Sequence, residues 1–214
     1  MDIVLLKIIK DFLSNLNPDI IVQAPSRINL INPLDAVEGD FWMPSVAING
    51  KHNPLSAFLY IKKIDKESRI KMYTINYVNT SFSIEIITEE RLVKNKSELL
   101  KTLTTKQKLI YASIYRLLNM NSSFNKKFLT TNIEIGLLTT IPPQSGLGGS
   151  TAIVIAVLYG LACYFNINND FINLKDNEYP INKDIIAEIA TKVEDEDLDI
   201  TAGYSDPYII SRGG

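Results

Sequence analysis

A glycine-rich segment offers the clearest chemistry in the sequence, because three of the four residues 146–149 are glycine and two hydroxyl side chains follow. Glycine accepts positive φ angles and lets the backbone approach a phosphate closely. A helix beginning here would add unpaired N–H groups and a partial positive charge. Ser150 and Thr151 could reach a metal ion or cap that helix. The segment therefore predicts a phosphate site, and a plain glycine turn with Ser150 as the N-cap is the alternative.

Two common phosphate-binding motifs do not fit this segment. A Walker loop places a lysine directly after its last glycine, whereas Ser150 stands here. The dinucleotide-binding fingerprint requires a different glycine spacing. Asp170, at about the distance of that fingerprint's acid, lies in an asparagine-rich segment and not at a clear strand end. A different kind of phosphate loop is therefore expected.

The segment instead resembles the second motif of the GHMP kinases, a class of small-molecule kinases. The pattern Pro-x-x-x-Gly-Leu-Gly-x-Ser-x-Ala runs from Pro142 to Ala152, although Gly149 replaces the serine usual before Ser150, as in some sugar-kinase branches. In that family the loop wraps the phosphates of ATP, and the serine contacts magnesium. The resemblance therefore implies that Ser150 binds the metal. It implies ATP contacts from Pro142, Gly146, Leu147, Gly148, Gly149, Ser150 and Thr151.

An earlier segment, Ala24-Pro25-Ser26-Arg27, is similar to the first GHMP motif, in which a lysine or arginine follows Ala-Pro-Gly. Ser26 replaces the usual glycine. The resemblance implies that Arg27 lies near the transferred phosphoryl group and offsets its developing charge. A surface arginine at a strand edge is the alternative.

Asn32-Pro33-Leu34-Asp35 resembles the Asn-Pro-Ser-Asp of glucuronokinase-type members, with one residue fewer after the arginine. The resemblance makes Asn32, Asp35 and Asp40 candidate sugar ligands, together with Glu38. An Asx/Pro turn with solvated acids is the alternative. Trp42 could stack on a sugar or purine, but a buried tryptophan is the favoured interpretation.

The end of the chain carries the third similar segment. Residues 200–206 read Ile-Thr-Ala-Gly-x-x-Asp, and Ile-x-x-x-Gly-Gly closes the chain. In the family this segment holds the catalytic aspartate, so the resemblance implies that Asp206 accepts or orients the substrate hydroxyl proton and that Gly203 contacts substrate. An upstream acid binds magnesium, for which Glu194 is chosen over Asp195 and Glu196. A solvated acidic helix end followed by a turn is the alternative.

Three similar segments in family order imply a kinase that uses ATP and Mg²⁺ on a sugar or uronic acid, with glucuronokinases as the nearest branch. Family members usually add a C-terminal ferredoxin-like domain with a third glycine-rich motif. Residues 1–214 are therefore interpreted as an N-terminal ATP-binding domain that ends before it. Two alternatives stay open: a fragment or non-catalytic nucleotide-binding module, and a mevalonate-pathway kinase or ATP-dependent decarboxylase. The decarboxylase would need a basic pocket, whereas the polar segment 32–40 suits a sugar better.

The hydrophobic pattern predicts the elements that position these segments. Helices are predicted over residues 3–15, 89–118, 152–165 and 181–193. Strands are predicted over residues 20–24 (ended by Pro25), 56–62, 69–75, 81–87, 131–137 (half-buried) and 208–211. Residues 28–31 form a second short apolar run. A loop over 119–127 and a turn at Asp206-Pro207 complete the prediction. Because helices do not alternate with the early strands, a two-layer α+β fold is favoured over a doubly wound sheet. The resemblance implies a ribosomal-protein-like β-α-β fold.

Composition excludes several partners. The 214 residues carry a net charge of −2 without a basic stripe, which argues against nucleic acid. The longest apolar stretch, residues 152–165, is too short to span a membrane. One cysteine, Cys163, fits a reducing cytoplasm and a small core residue. One histidine, His52, argues against a histidine base or a multi-histidine zinc site.

Overall fold

The computed structural model describes residues 5–30, 44–50, 52–78, 81–167, 181–200 and 203–213. Within these residues the strands are β1 (Ile20–Asn29), β2 (Ser45–Ile48), β3 (Ser56–Lys63), β4 (Arg69–Val78), β5 (Ser81–Arg91) and β6 (Ile133–Thr139). The helices are α1 (Leu5–Asn15), α2 (Lys96–Thr102), α3 (Lys108–Met120), α4 (Ser122–Thr130), α5 (Gly149–Phe165), α6 (Ile181–Lys192) and α7 (Ser205–Arg212). A π-helical turn, Val193–Asp197, directly follows α6.

The strands form one mixed sheet in the order β2-β1-β3-β6-β4-β5, which confirms the predicted α+β class. Only β4 and β6 pair in parallel among the described strands. The prediction that Pro25 ends the first strand is wrong, because β1 continues to Asn29 and passes from β3 to β2 as its partner. The N–H of Ser26 donates to the carbonyl of Leu55 at 2.8 Å. Alternate residues face the same edge, so the missing N–H of Pro25 points away from β3 and no ladder bond is lost.

Both faces of the central strands are covered. Alternate residues of β3 and β6 pack into the main core with the apolar helix α5, namely Ala57, Leu59, Ile61, Ile133, Ile135 and Leu137. On the opposite face Ile9 and Leu13 of α1 pack on Phe58, Tyr60 and Leu138. The expectation that the strand over 131–137 is half-buried is therefore wrong, because β6 is buried on both sides along almost its whole length.

The predicted helix over residues 89–118 is interrupted. Residues 89–91 remain in β5, because Arg91 still pairs with Arg69 on β4. The chain then starts α2, where the side chain of Asn95 accepts a hydrogen bond from the N–H of Ser97 at 2.9 Å. Helix α3 begins only at Lys108.

Two further segments differ from their predictions. The predicted loop over 119–127 contains the end of α3 and most of α4, where Asn121 caps the helix at Phe124 and a buried aromatic face forms. The predicted strand over 208–211 lies within α7, whose Pro207 occupies the first turn, where a missing N–H is tolerated. In both places, packing against the core outweighs the local pattern.

No described helix is both long and apolar enough to cross a lipid bilayer. Cys163 lies in α5 with intermediate exposure, so it is less buried than the core position expected. His52 is exposed.

A buried carboxylate ties the α1 side of the sheet together. Glu134 is 4% exposed and accepts hydrogen bonds from the Tyr60 hydroxyl at 2.7 Å and the Arg69 Nε at 2.5 Å. The Lys71 ammonium lies 3.2 Å away. Burial alone would raise the pKa of Glu134, but the hydrogen bonds from these three side chains outweigh it and lower the pKa.

We expect Glu134→Gln to lower the free energy of unfolding by about 2 kcal/mol at pH 7, because two cations lose their buried partner. The pKa of Glu134 is lower in the folded than in the unfolded protein, so the ionised carboxylate stabilises the fold at pH values above the unfolded pKa. The difference in unfolding free energy between Glu134→Gln and wild type should therefore narrow as the pH falls below the ordinary pKa of 4.5. Urea unfolding at neutral and acidic pH measures both effects. Glu85→Gln is the control on an exposed glutamate. Equal losses in the two variants would contradict this role of Glu134.

Candidate active site

The glycine segment forms a loop that leads into the N-terminus of the buried helix α5. Gly148 is the N-cap residue, with a φ of 71° in the left-handed region, and no side chain caps this helix end among the described residues. Gly146 also has a positive φ of 72°. The alternative of Ser150 as N-cap is therefore wrong, because Ser150 already lies in the first helical turn. Because the N-cap residue Gly148 has no side chain, it cannot accept a hydrogen bond from the first N–H groups of α5, and these groups could bind an anion.

Ser26 and Arg27, at the end of the Ala24-Pro25-Ser26-Arg27 segment in β1, form hydrogen bonds to this loop. The Ser26 hydroxyl donates to the Leu147 carbonyl at 2.8 Å, and the Arg27 N–H donates to the same carbonyl at 3.2 Å. The Arg27 guanidinium donates to the carbonyl of Gly146. Sequence reasoning missed the role of Ser26. The only available signal was a hydroxyl in place of the family's glycine.

Gly148 is crowded as well as left-handed. A Cβ atom at this position would lie 3.1 Å from the Ile210 side chain and 3.2 Å from the Arg27 Cγ. At Gly146, which has nearly the same φ, a Cβ would meet nothing within 4 Å. A comparison of substitutions at the two glycines therefore distinguishes the cost of backbone strain from the cost of close packing.

Gly148→Ala should lower the free energy of unfolding by about 2 kcal/mol, and Gly146→Ala by about 1 kcal/mol. Both variants carry the strain of a positive φ, but only the first displaces Arg27 and Ile210. Denaturant unfolding of the two variants side by side measures the difference. Equal losses would mean that the contacts of Gly148 with its neighbours do not matter.

Arg27 and Asp206 form a bidentate ion pair next to the glycine loop. The guanidinium donates through Nε and Nη2 to the two carboxylate oxygens of Asp206, which lies in the first turn of α7. The residues are 179 positions apart in the chain. Their side chains are 11% and 21% exposed, so the ion pair is largely shielded from solvent. A charge-assisted pair of this geometry is strong and directional.

Glu194 is the third charged group of the site. It is 1% exposed and accepts a hydrogen bond from the Thr151 hydroxyl at 2.8 Å. Burial raises the pKa of Glu194, and the charge of Asp206 acts in the same direction, against the hydrogen bonds from Thr151 and Ser150 and the charge of Arg27. The carboxyl therefore lies within electrostatic reach of the ion pair and beside the first turn of α5.

The two competitors of Glu194 lie elsewhere. Asp195 is exposed, and Glu196 is exposed and paired with Arg116. The π-helical turn thus directs only Glu194 toward the first turn of α5. Among the described residues no three His, Cys, Asp or Glu side chains converge as a metal cluster.

Pro142 is exposed at the start of the loop, and Gly203 is half-buried just before α7. The candidate sugar ligands Asn32, Asp35 and Asp40 lie outside the described residues, as do Glu38 and Trp42.

Sequence reasoning also missed a pair of hydroxyls beside Asp206. The Ser45 and Ser205 hydroxyls are 3.0 Å apart, which links β2 to α7 next to Asp206. The Ser45 hydroxyl donates to the side chain of Asn29 at 2.7 Å. Ser45 lies in none of the similar segments and Ser205 occupies an unspecified position of segment 200–206, so only the tertiary structure could identify this pair.

The fold and the site define the class of protein: an α+β domain with a glycine loop at a helix N-terminus, faced by buried charged groups. The sequence profile described as "GHMP kinases N terminal domain" matches residues 108–214, which is half of the chain. The chain therefore belongs to the GHMP kinases. The resemblance drawn from the three motifs is confirmed.

A D-glycero-alpha-D-manno-heptose 7-phosphate kinase from Campylobacter jejuni is 33% identical over 105 residues, which are 49% of this chain and 26% of that protein. Among solved structures, a mevalonate kinase from Methanococcus jannaschii matches with a TM-score of 0.59 at 22% identity, covering 91% of this chain and 51% of its own. A heptose 1-phosphate kinase from Bacteroides thetaiotaomicron matches with a TM-score of 0.56 at 20% identity, covering 91% and 54%. The chain thus spans about half of the solved relatives, whose likeness shows the fold.

Proposed function

We propose that the protein transfers the γ-phosphoryl group of ATP to a hydroxyl group of a sugar or sugar derivative. The observation that carries this proposal is the Arg27–Asp206 ion pair at the glycine loop. It brings together a fixed positive charge, a carboxylate and a helix N-terminus, which are the groups that phosphoryl transfer requires. The proposed unit is residues 1–214 as one ATP-binding domain, and the proposed compartment is the cytoplasm.

The residues present fit the phosphates of ATP. Gly146 and Gly148 adopt the positive φ angles of the loop, and at Gly148 a Cβ would also crowd Ile210 and Arg27. The N-terminus of α5 supplies N–H groups and its dipole. These residues would hold the phosphates: Gly146, Leu147, Gly148, Gly149, Ser150 and Thr151.

Ser150 and Glu194 would hold Mg²⁺. Magnesium commonly takes one or two carboxylates together with substrate phosphates, so a single buried glutamate beside a hydroxyl fits. A cation there would also offset the free-energy cost of burying the Glu194 carboxylate, since this residue is 1% exposed. When bound, the metal supplies positive charge against the phosphates.

Arg27 and Asp206 carry the transfer itself. Asp206 accepts or orients the proton of the attacking hydroxyl, and Arg27 holds the carboxylate in position through two hydrogen bonds. The Arg27 charge also offsets the charge that develops on the transferred group. Because both side chains are mostly buried, their electrostatic effect is little screened by water.

The acceptor class is proposed from two sources. A relative named as a heptose 7-phosphate kinase supports a sugar. The Asn-Pro-x-Asp segment at Asn32 to Asp35 supports a uronic acid, as in glucuronokinases. We propose a sugar in general and a uronic acid as the first candidate.

The test measures ADP release with Mg²⁺ across an acceptor panel of glucuronate, galacturonate, neutral hexoses, a heptose phosphate and mevalonate. Turnover with one sugar supports the proposal and names the acceptor. Turnover with mevalonate alone would contradict the sugar assignment. ATP binding by calorimetry without turnover on any acceptor would favour a nucleotide-binding module instead.

A further inference from the structure

Arg116 on α3 makes three polar contacts with the end of α6 and with the π-helical turn that follows it and carries Glu194. Its Nε lies 2.8 Å from Asp197, its Nη1 lies 2.8 Å from Glu196, and its Nη2 donates to the Lys192 carbonyl at 3.1 Å. The Arg116 side chain is 15% exposed and that of Asp197 is 10% exposed. Arg116 and Asp197 are therefore mostly buried, unlike the partners of an ordinary surface ion pair.

The three contacts lie on both sides of Glu194. Lys192 is the last residue of α6, whereas Glu196 and Asp197 end the π-helical turn. The Glu194 carbonyl itself accepts a hydrogen bond from Ile200 at 2.8 Å. A π-helical turn is a rare and wide conformation, and such turns occur often at functional sites. A planar guanidinium with fixed donors suits the task of holding one.

We propose that Arg116 is a positioning residue that fixes the π-helical turn and thereby holds the Glu194 carboxylate beside Ser150 and Thr151. Within the part of the chain that the structure describes, the hydrogen bonds and ion pairs of Arg116 go to Lys192, Glu196 and Asp197, and not to the glycine loop or the Arg27–Asp206 pair. Its effect on the site therefore passes through Glu194. This inference rests on the proposed function, because it assumes that Glu194 binds Mg²⁺.

The test measures the Mg²⁺ concentration that half-maximally strengthens ATP binding, by calorimetry, so that it needs no acceptor and no turnover. Arg116→Gln should raise this concentration about tenfold, the lower end of what loss of a group supporting a metal ligand costs. Arg116→Lys should raise it too, because an ammonium cannot reach all three acceptors. Arg212→Gln, which breaks an exposed ion pair with Asp184, is the matched control and should leave it unchanged.

A double variant separates positioning from general destabilisation. Glu194→Gln alone should raise the Mg²⁺ requirement, and adding Arg116→Gln should raise it no further, because both changes act on one ligand. Thermal melting identifies any variant that does not fold, in which case Arg116→Lys carries the comparison.

Three outcomes would overturn the inference. A wild-type Mg²⁺ requirement in folded Arg116→Gln, with Glu194→Gln impaired, would remove Arg116 from the site and leave the proposed function intact. Fully additive effects in the double variant would mean that Arg116 acts independently of Glu194. A wild-type requirement in Glu194→Gln would remove Glu194 from the proposed metal site, and Arg116 with it.

Discussion

Asp206→Asn should lower kcat about 10³-fold without weakening ATP binding. The substitution keeps the shape of the side chain but removes the charge that accepts or orients the hydroxyl proton. Asp206 lies in the first turn of α7, where two hydrogen bonds from Arg27 hold its carboxylate. ADP release at saturating acceptor, with ATP affinity by calorimetry, measures the two quantities separately.

Asp184→Asn is the control for this prediction. Asp184 is also an aspartate in an ion pair with an arginine, but it lies on α6 and pairs with the exposed Arg212. It should retain kcat within about twofold. Retained turnover in Asp206→Asn would exclude Asp206 as the group that handles the proton, even if the protein is a kinase.

The second large effect is expected from Arg27→Met, which should lower kcat by about 10²-fold to 10³-fold. Methionine fills similar space but removes the charge, the two bonds to Asp206 and the bond to the Gly146 carbonyl. Because the variant also leaves a partly buried Asp206 unpaired, it should lose stability as well. Kinetics and denaturant unfolding are measured on the same preparations.

Arg91→Met controls for loss of an arginine, since Arg91 is 76% exposed and 3.5 Å from its partner. The double variant Arg27→Met with Asp206→Asn tests whether the two residues act as a unit. We expect its kcat to be close to that of Asp206→Asn alone, because groups that act together are not additive. A product of the two single effects would mean that each residue acts independently.

The sequence predicted the parts of the site that depend on neighbouring residues. The glycine run, the apolar stretch after it and the strand before it predicted a phosphate loop at a helix N-terminus, and α5 follows the loop, although it begins at Gly149, three residues before the predicted start at residue 152. Such features are local, because φ preference, capping and hydrophobic period act over a few residues. The N-cap itself fell at Gly148 instead of the alternative, Ser150.

The incorrect predictions share a different origin. Residues 208–211 have a strand-like pattern but form part of α7, where Ile210 is buried against the core. Residues 122–127 are mostly polar but form most of α4, because Phe124 and Phe128 pack with Phe165 of α5. In both segments, distant partners outweigh local propensity.

By itself the sequence determined the family, the α+β class and the order of the three motifs. Only the tertiary structure decided that Arg27 pairs with Asp206, that Ser26 holds the glycine loop, and that Glu194 and not Asp195 or Glu196 faces α5. The physical reason is distance along the chain. Spacing within a motif sets local geometry, whereas contacts between residues far apart depend on how helices pack on the sheet and where a π-helical turn shifts the register.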